Sequence, residues 1–262
     1  MPVSRLDACY LHEAAERHDV QIISVDRPGI GISDFQADRT LLSTADDVQE
    51  LAEKLGFGDS FSIIGHSYGC ITAAACGLKV RSGGGLKKVA LVAPFAPNWM
   101  TRVNSKAGRK CREFGFDRIK GPLIFRLMRQ AAFSPLPTSQ WILRQMAVDL
   151  LPKADRHYAD SELMVQSLGQ DSCQGPAGPL RELQLGICDW DFKLKDIKEG
   201  QRFTIWQGTC DTFTPPAVGR FYECGNDYDS GIEGSRYREA PGDGHYSLLG
   251  TIDDKIIRSI LP

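Results

Sequence analysis

Phe61-Ser62-Ile63-Ile64-Gly65-His66-Ser67-Tyr68-Gly69-Cys70-Ile71-Thr72-Ala73-Ala74-Ala75-Cys76-Gly77 is the stretch whose reading decides the fold. Its opening residues, Phe61–Gly65, are apolar in succession, as expected of a strand covered on both faces. From Cys70 onward the side chains are small, which lets a helix lie close on a sheet. The surrounding Ser60–Leu78 is 19 residues long and lacks Asp, Glu, Lys and Arg. A bilayer span is a poor reading, because Gly65-His66-Ser67-Tyr68-Gly69 interrupts it and its halves differ in periodicity. The interruption matches G-x-S-x-G, placed where a strand ends and a helix begins. A serine on such a turn is held in a strained backbone conformation with its Oγ above the sheet edge. Gly65 and Gly69 are expected to relieve the crowding, and the helix N-terminus favours developing negative charge. The plain alternative is a Gly-rich connection carrying an incidental serine; the strand and helix on either side favour the nucleophile.

Working outward, Ile22–Val25, Val89–Ala93, Phe203–Gln207 and, more weakly, Arg236–Ala240 also read as strands. A helix precedes Phe61: Thr44 is its expected cap with Asp47 three residues on, Val48, Leu51, Ala52 and Leu55 form its apolar stripe, and Gly56 ends it. Strand and helix in alternation predict an α/β fold, a mostly parallel sheet flanked by helices with right-handed crossovers. From Pro94 to about Gly200 the pattern changes to helices near Pro122–Phe133, Ser139–Leu150, Asp160–Leu168 and Pro179–Cys188. The expected organisation is a core of residues 1–97 and 201–262 with a helical insertion at 98–200. Between Arg102 and Arg129 nine Lys/Arg stand against Glu113 and Asp117 alone; a solvated helical face explains them better than a site for an anionic partner.

The 262 residues are enough for a sizeable core without disulfides. With 31 Lys+Arg against 33 Asp+Glu the net charge is −2, which argues against an electrostatic grip on nucleic acid. Eight cysteines without a C-x-x-C pair read as free thiols in a reducing compartment. The first residues hold no apolar signal-peptide core, so a cytoplasmic location is expected. No metal cluster, phosphate loop or dinucleotide fingerprint implies a cofactor.

A serine needs a base, and the base needs an orienting group. Ile205-Trp206-Gln207-Gly208-Thr209-Cys210-Asp211 is a strand and loop carrying an aspartate. Ala240-Pro241-Gly242-Asp243-Gly244-His245 places a histidine after the last strand. Ser67, Asp211 and His245 are therefore the candidate catalytic residues, on three loops that a parallel sheet can bring to its C-terminal edge. Asp243, on the same turn as His245, is the weaker third member. His66 reads as a packing or loop-orienting residue, and His12, His18 and His157 as surface residues.

With these motifs in order the chain resembles α/β-hydrolases carrying a helical cap. The shared segments are D-R-P-G-x-G-x-S at Asp26–Ser33, G-H-S-Y-G at the elbow, G-x-x-D at Gly208–Asp211 and G-x-G-H at Gly242–His245. The resemblance implies a serine hydrolase acting on an ester or related small-molecule acyl substrate, with the Tyr68 N–H as one oxyanion donor. It implies a structural role for the D-R-P-G segment and makes Trp141, Phe125 and Trp190 candidates for the pocket roof. Serine at 67 departs from the haloalkane dehalogenases and epoxide hydrolases, which carry aspartate there. Relatives with this pattern have H-G-x-P-x-S-R-L after their third strand, and Met1-Pro2-Val3-Ser4-Arg5-Leu6 matches only its latter part. The expectation is a truncated chain whose sheet is N-terminally incomplete, with Ile22–Val25 missing its neighbour and the second oxyanion donor falling at Met1. A catalytically impaired or non-catalytic remnant, or a binding protein, is the alternative. Oligomeric state is left open.

Overall fold

The computed structural model describes residues 4–80, 82–159, 161–225 and 231–261. Among these, β1 (Phe61–His66), β2 (Leu86–Val92), β3 (Phe203–Gly208) and β4 (Arg236–Ala240) form one sheet in that order, every pair parallel. Helices α1 (His12–Arg17) and α2 (Leu41–Lys54) precede β1, and α3 (Gly69–Lys79) joins β1 to β2. Between β2 and β3 the chain forms α4 (Asn98–Thr101), α5 (Lys106–Phe116), α6 (Lys120–Ala132), α7 (Pro137–Leu150), α8 (Arg156–Ala159), α9 (Glu162–Asp171) and α10 (Ala177–Ile187). Helix α11 (Pro216–Cys224) joins β3 to β4, and α12 (Ser247–Thr251) and α13 (Asp253–Ile260) close the chain.

The apolar runs become strands because both faces of the sheet are covered. In β1, Gly65 faces Ala73 of α3. The intervening residues turn the other way: Ser62 Oγ donates to the Ile260 carbonyl (2.8 Å), and Ile64 packs with Ile257, Ala14 and Ala15. Leu86 and Val89–Val92 of β2 are buried, which accounts for a run without alternation. Buried Arg202, just before β3, ties the layers together. Its guanidinium donates to the carbonyls of Leu86 (2.7 Å), Gly77 (3.0 Å) and Val80 (3.3 Å) and pairs with Glu199 (2.8 Å). It thereby closes the carbonyl end of α3 on the sheet.

Several expectations need correction. Ile22–Val25 forms no strand: no strand among the described residues offers it a ladder on the outer side of β1, and Ile23 and Val25 are 45% and 42% exposed. The cap of α2 is Thr40, not Thr44. Thr40 Oγ1 accepts the Ser43 N–H (3.1 Å) while Ser43 Oγ accepts that of Thr40 (3.0 Å), and Thr44 is buried within the first turn. Gly56, at φ 80, follows the last turn as anticipated. In the insertion, α5 lies where no helix was expected. All eight cysteines are unpaired. Among the described residues no helix is long and apolar enough to cross a membrane.

Candidate active site

Ser67 sits between β1 and α3 with φ 53, a left-handed conformation unfavourable by about 1–2 kcal/mol for a side-chain-bearing residue. The turn is held from both sides: the Ser67 N–H donates to the Val92 carbonyl (2.8 Å), and the Ser67 carbonyl accepts the Phe95 N–H (3.2 Å). Gly65 is required by close approach, since a Cβ there would lie 2.6 Å from the Gly69 carbonyl oxygen and 2.8 Å from Ala73 Cβ. Gly69 is not: a Cβ there would meet nothing within 4 Å. The crowding expected at both glycines is thus confined to Gly65, because the backbone of residue 69 is the part that presses on it.

His245 and Asp211 converge on this turn. His245 Nε2 lies 2.8 Å from Ser67 Oγ, and His245 Nδ1 lies 2.8 Å from Asp211 Oδ2. All three residues are buried. A carboxylate only accepts, so Nδ1 carries the proton toward Asp211, leaving the Nε2 lone pair for the Ser67 hydroxyl. Asp211 is strongly held. Its Oδ1 accepts the N–H groups of Phe213 and Thr214, both at 2.8 Å, and its Oδ2 accepts the Thr214 hydroxyl (2.8 Å) and Gln207 Nε2 (3.3 Å). Thr214 Oγ1 also stands 3.0 Å from His245 Nδ1. Such an arrangement can draw a proton from a hydroxyl and hold the resulting imidazolium.

The other candidates fall elsewhere. Asp243 turns its carboxylate to the Thr251 hydroxyl and gives its carbonyl to the Cys210 N–H (2.8 Å), so its side chain serves the turn. His66 Nε2 donates to the His245 carbonyl (2.9 Å), with the two rings 5.0 Å apart, in the orienting place anticipated for it. Tyr68 heads α3; its hydroxyl donates to the Glu182 carbonyl on α10, its ring stacks on Phe95, and the Arg27 guanidinium lies over it at 5.4 Å. Burial, with the Glu182 charge adding to it, pushes the Tyr68 phenol well above its usual range. The D-R-P-G arginine therefore packs beside the elbow. Cys70 is no rival nucleophile: burial pushes its thiol far up, and Sγ donates to the Gly65 carbonyl (3.0 Å). Met1, the expected place of the second oxyanion donor, lies outside the described residues. Of the pocket candidates, Trp141 is 60% exposed, Phe125 is buried on α6, and Trp190 packs on Phe192 and Tyr222.

Sequence reasoning missed Thr214 and Asp155. Asp211-Thr212-Phe213-Thr214 carried a local signal, an aspartate followed by a hydroxyl three residues on, the pattern of a side-chain-capped turn. Asp155, whose carboxylate meets the backbone of His245 and Ser247, had none, being 90 residues from its partner.

A family model described as "Alpha/beta hydrolase family" matches residues 4–254. No curated protein sequence matches the chain. Among solved structures it is similar to a thermophilic esterase from Thermogutta terrifontis, at 16% identity over 98% of this chain and 84% of that one, TM-score 0.63. It is similar to the esterase EaEST from Exiguobacterium antarcticum, at 17% identity over 99% and 88%, TM-score 0.63. A bromoperoxidase from Bacillus anthracis is similar at 15% identity over 98% and 86%, TM-score 0.62. At these identities the likeness speaks for the fold alone. Matched by the family model over nearly all of its length, the chain belongs to the alpha/beta hydrolase family.

Proposed function

We propose that this protein is a serine hydrolase acting on an ester or related small-molecule acyl substrate. The observation that carries the reading is the unbroken hydrogen-bonded run from Ser67 Oγ through His245 to Asp211, with 2.8 Å at each step. Ser67 Oγ attacks the acyl carbon while its proton passes to His245 Nε2, which then delivers it to the leaving alcohol. Water, deprotonated by the same nitrogen, releases the acid and restores the serine. Asp211 holds the imidazole in the Nδ1–H tautomer and offsets its positive charge; Thr214, Phe213 and Gln207 hold Asp211. The Tyr68 N–H, at the start of α3, is the oxyanion donor assigned from this segment. Residues 98–200 act as a cap over the pocket, through helices such as α10 that reach Tyr68. Two of the solved structures that share this fold are esterases. The eight unpaired cysteines suit a reducing compartment.

The test is covalent labelling of the purified chain with a fluorophosphonate probe, alongside turnover of p-nitrophenyl butyrate. Labelling and turnover are expected in the wild type, and both should vanish in Ser67→Ala while its melting temperature stays close to wild type. Folded wild-type protein that takes up no label and turns over no ester would leave a non-catalytic binding protein as the better account.

A further inference from the structure

Both backbone groups of His245 are held by side chains from distant parts of the chain. Its carbonyl accepts from His66 at the end of β1. Its N–H donates to Asp155, which lies in the insertion just before α8. Asp155 is fully buried, and its other oxygen accepts the Ser247 N–H at 2.8 Å, so one carboxylate spans the backbone on both sides of the imidazole-bearing residue. The contact is built into the sequence of the histidine loop. A Cβ on Gly244 would stand 2.5–2.7 Å from three atoms of the Asp155 carboxyl group, so only glycine admits it there. The neighbouring Tyr158 docks with the same loop, its ring 6.3 Å from that of Tyr246. A buried carboxylate is tolerated only with donors aimed at it, and two buried N–H groups need acceptors, so each side of this contact requires the other.

Resting on the hydrolase reading above, we propose that Asp155 is a positioning residue for His245: through this carboxylate the helical insertion sets where Nε2 stands relative to Ser67 Oγ. Asp155 touches no reacting atom. Its effect is on geometry, and a displacement of the base of about 1 Å lowers chemistry by up to about 100-fold while leaving substrate binding nearly alone.

The experiment is steady-state kinetics with p-nitrophenyl butyrate on wild type, Asp155→Asn, Asp155→Ala, Gly244→Ala and the Asp155→Ala/Gly244→Ala double variant, with melting temperatures in parallel. Asp155→Ala should lower kcat by about 10–100-fold with KM little changed. Asp155→Asn, which keeps one oxygen acceptor, should recover part of that loss. Gly244→Ala should reproduce the loss by displacing the carboxylate, yet add little in the Asp155→Ala background. Unchanged kcat in Asp155→Asn and Asp155→Ala, a rise in KM alone, or full additivity in the double variant would overturn the proposal. Should Asp155→Ala not fold, Asp155→Asn and Gly244→Ala decide the question by the same split between kcat and KM. Absence of turnover in the wild type would instead remove the hydrolase reading itself, so the two failures are distinguishable.

Discussion

At the scale of single residues, the elbow concentrates its demands unequally. Ser67 accepts φ 53 because flanking hydrogen bonds to Val92 and Phe95 leave the turn no alternative, while Gly65 makes room for the chain to double back. The two glycines of G-x-S-x-G should therefore respond differently to alanine. Gly65→Ala forces a methyl group against the Gly69 carbonyl and Ala73, and is expected to lower stability by about 1–3 kcal/mol. Gly69→Ala adds a side chain to open space within a helix and is expected to be neutral or stabilising by up to about 1 kcal/mol. Urea denaturation midpoints of the two variants check the contrast; equal losses would mean that position 69 is crowded after all. Ser67, Asp211 and His245 could be picked out from the sequence because each sits in a short turn with its own local pattern. Thr214 and Asp155 could not, or only faintly, because what defines them is contact with a residue on another loop.

At the scale of elements, the turn at Ser67 leads into α3, which is anchored at its far end. Arg202 supplies that anchor by satisfying carbonyls of Gly77, Val80 and Leu86 from a buried position. Arg202→Met keeps much of the side-chain volume while leaving those carbonyls unpaired. It should destabilise the protein by about 1.5–3 kcal/mol, read from chemical denaturation; a loss below about 0.5 kcal/mol, the size of an ordinary surface change, would show that water takes over the carbonyls. β4, with Arg236, Arg238 and Glu239 exposed, gave only a weak signal, whereas β2 was legible because a strand covered on both faces is apolar at successive positions, as Val89–Val92 is. Ile22–Val25 has the same composition, but a strand also needs a partner, which composition does not encode. Helix α5 was hidden for the opposite reason. Lys106-Ala107-Gly108-Arg109-Lys110-Cys111-Arg112 is mostly charged, and Ala107 and Cys111, four residues apart and buried, mark its inner face. The cap of α2 was misplaced by one turn because Thr40 and Thr44 both offer a hydroxyl, and Ser43 decides between them by completing the reciprocal bond at Thr40.

At the scale of the whole molecule, 31 basic and 33 acidic side chains nearly balance, so general charge repulsion contributes little to stability near neutral pH. Its pH dependence should instead reflect individual buried groups, and Asp171 stands out. It ends α9, is fully buried, and among the described residues neither carboxylate oxygen has a hydrogen-bond partner. Burial pushes its carboxyl well above the usual value of 3.8, with the charges of Asp7 and Glu182 acting in the same direction and Arg27 opposing. Its place at the carbonyl end of a helix also disfavours the anion. The folded state thus keeps a proton that the unfolded chain releases once the pH exceeds 3.8, so this group's contribution to stability falls as the pH rises from there toward the folded-state value. Asparagine has nearly the same shape and never ionises. Asp171→Asn should therefore have the higher denaturation midpoint at pH 8, and the advantage should shrink toward zero as the pH is brought down to about 3, below the unfolded-state value, where the carboxyl is largely protonated in both states. A wild type more stable than Asp171→Asn at pH 8 would mean that the carboxylate is ionised in the fold and held by a partner, most directly the Arg27 guanidinium.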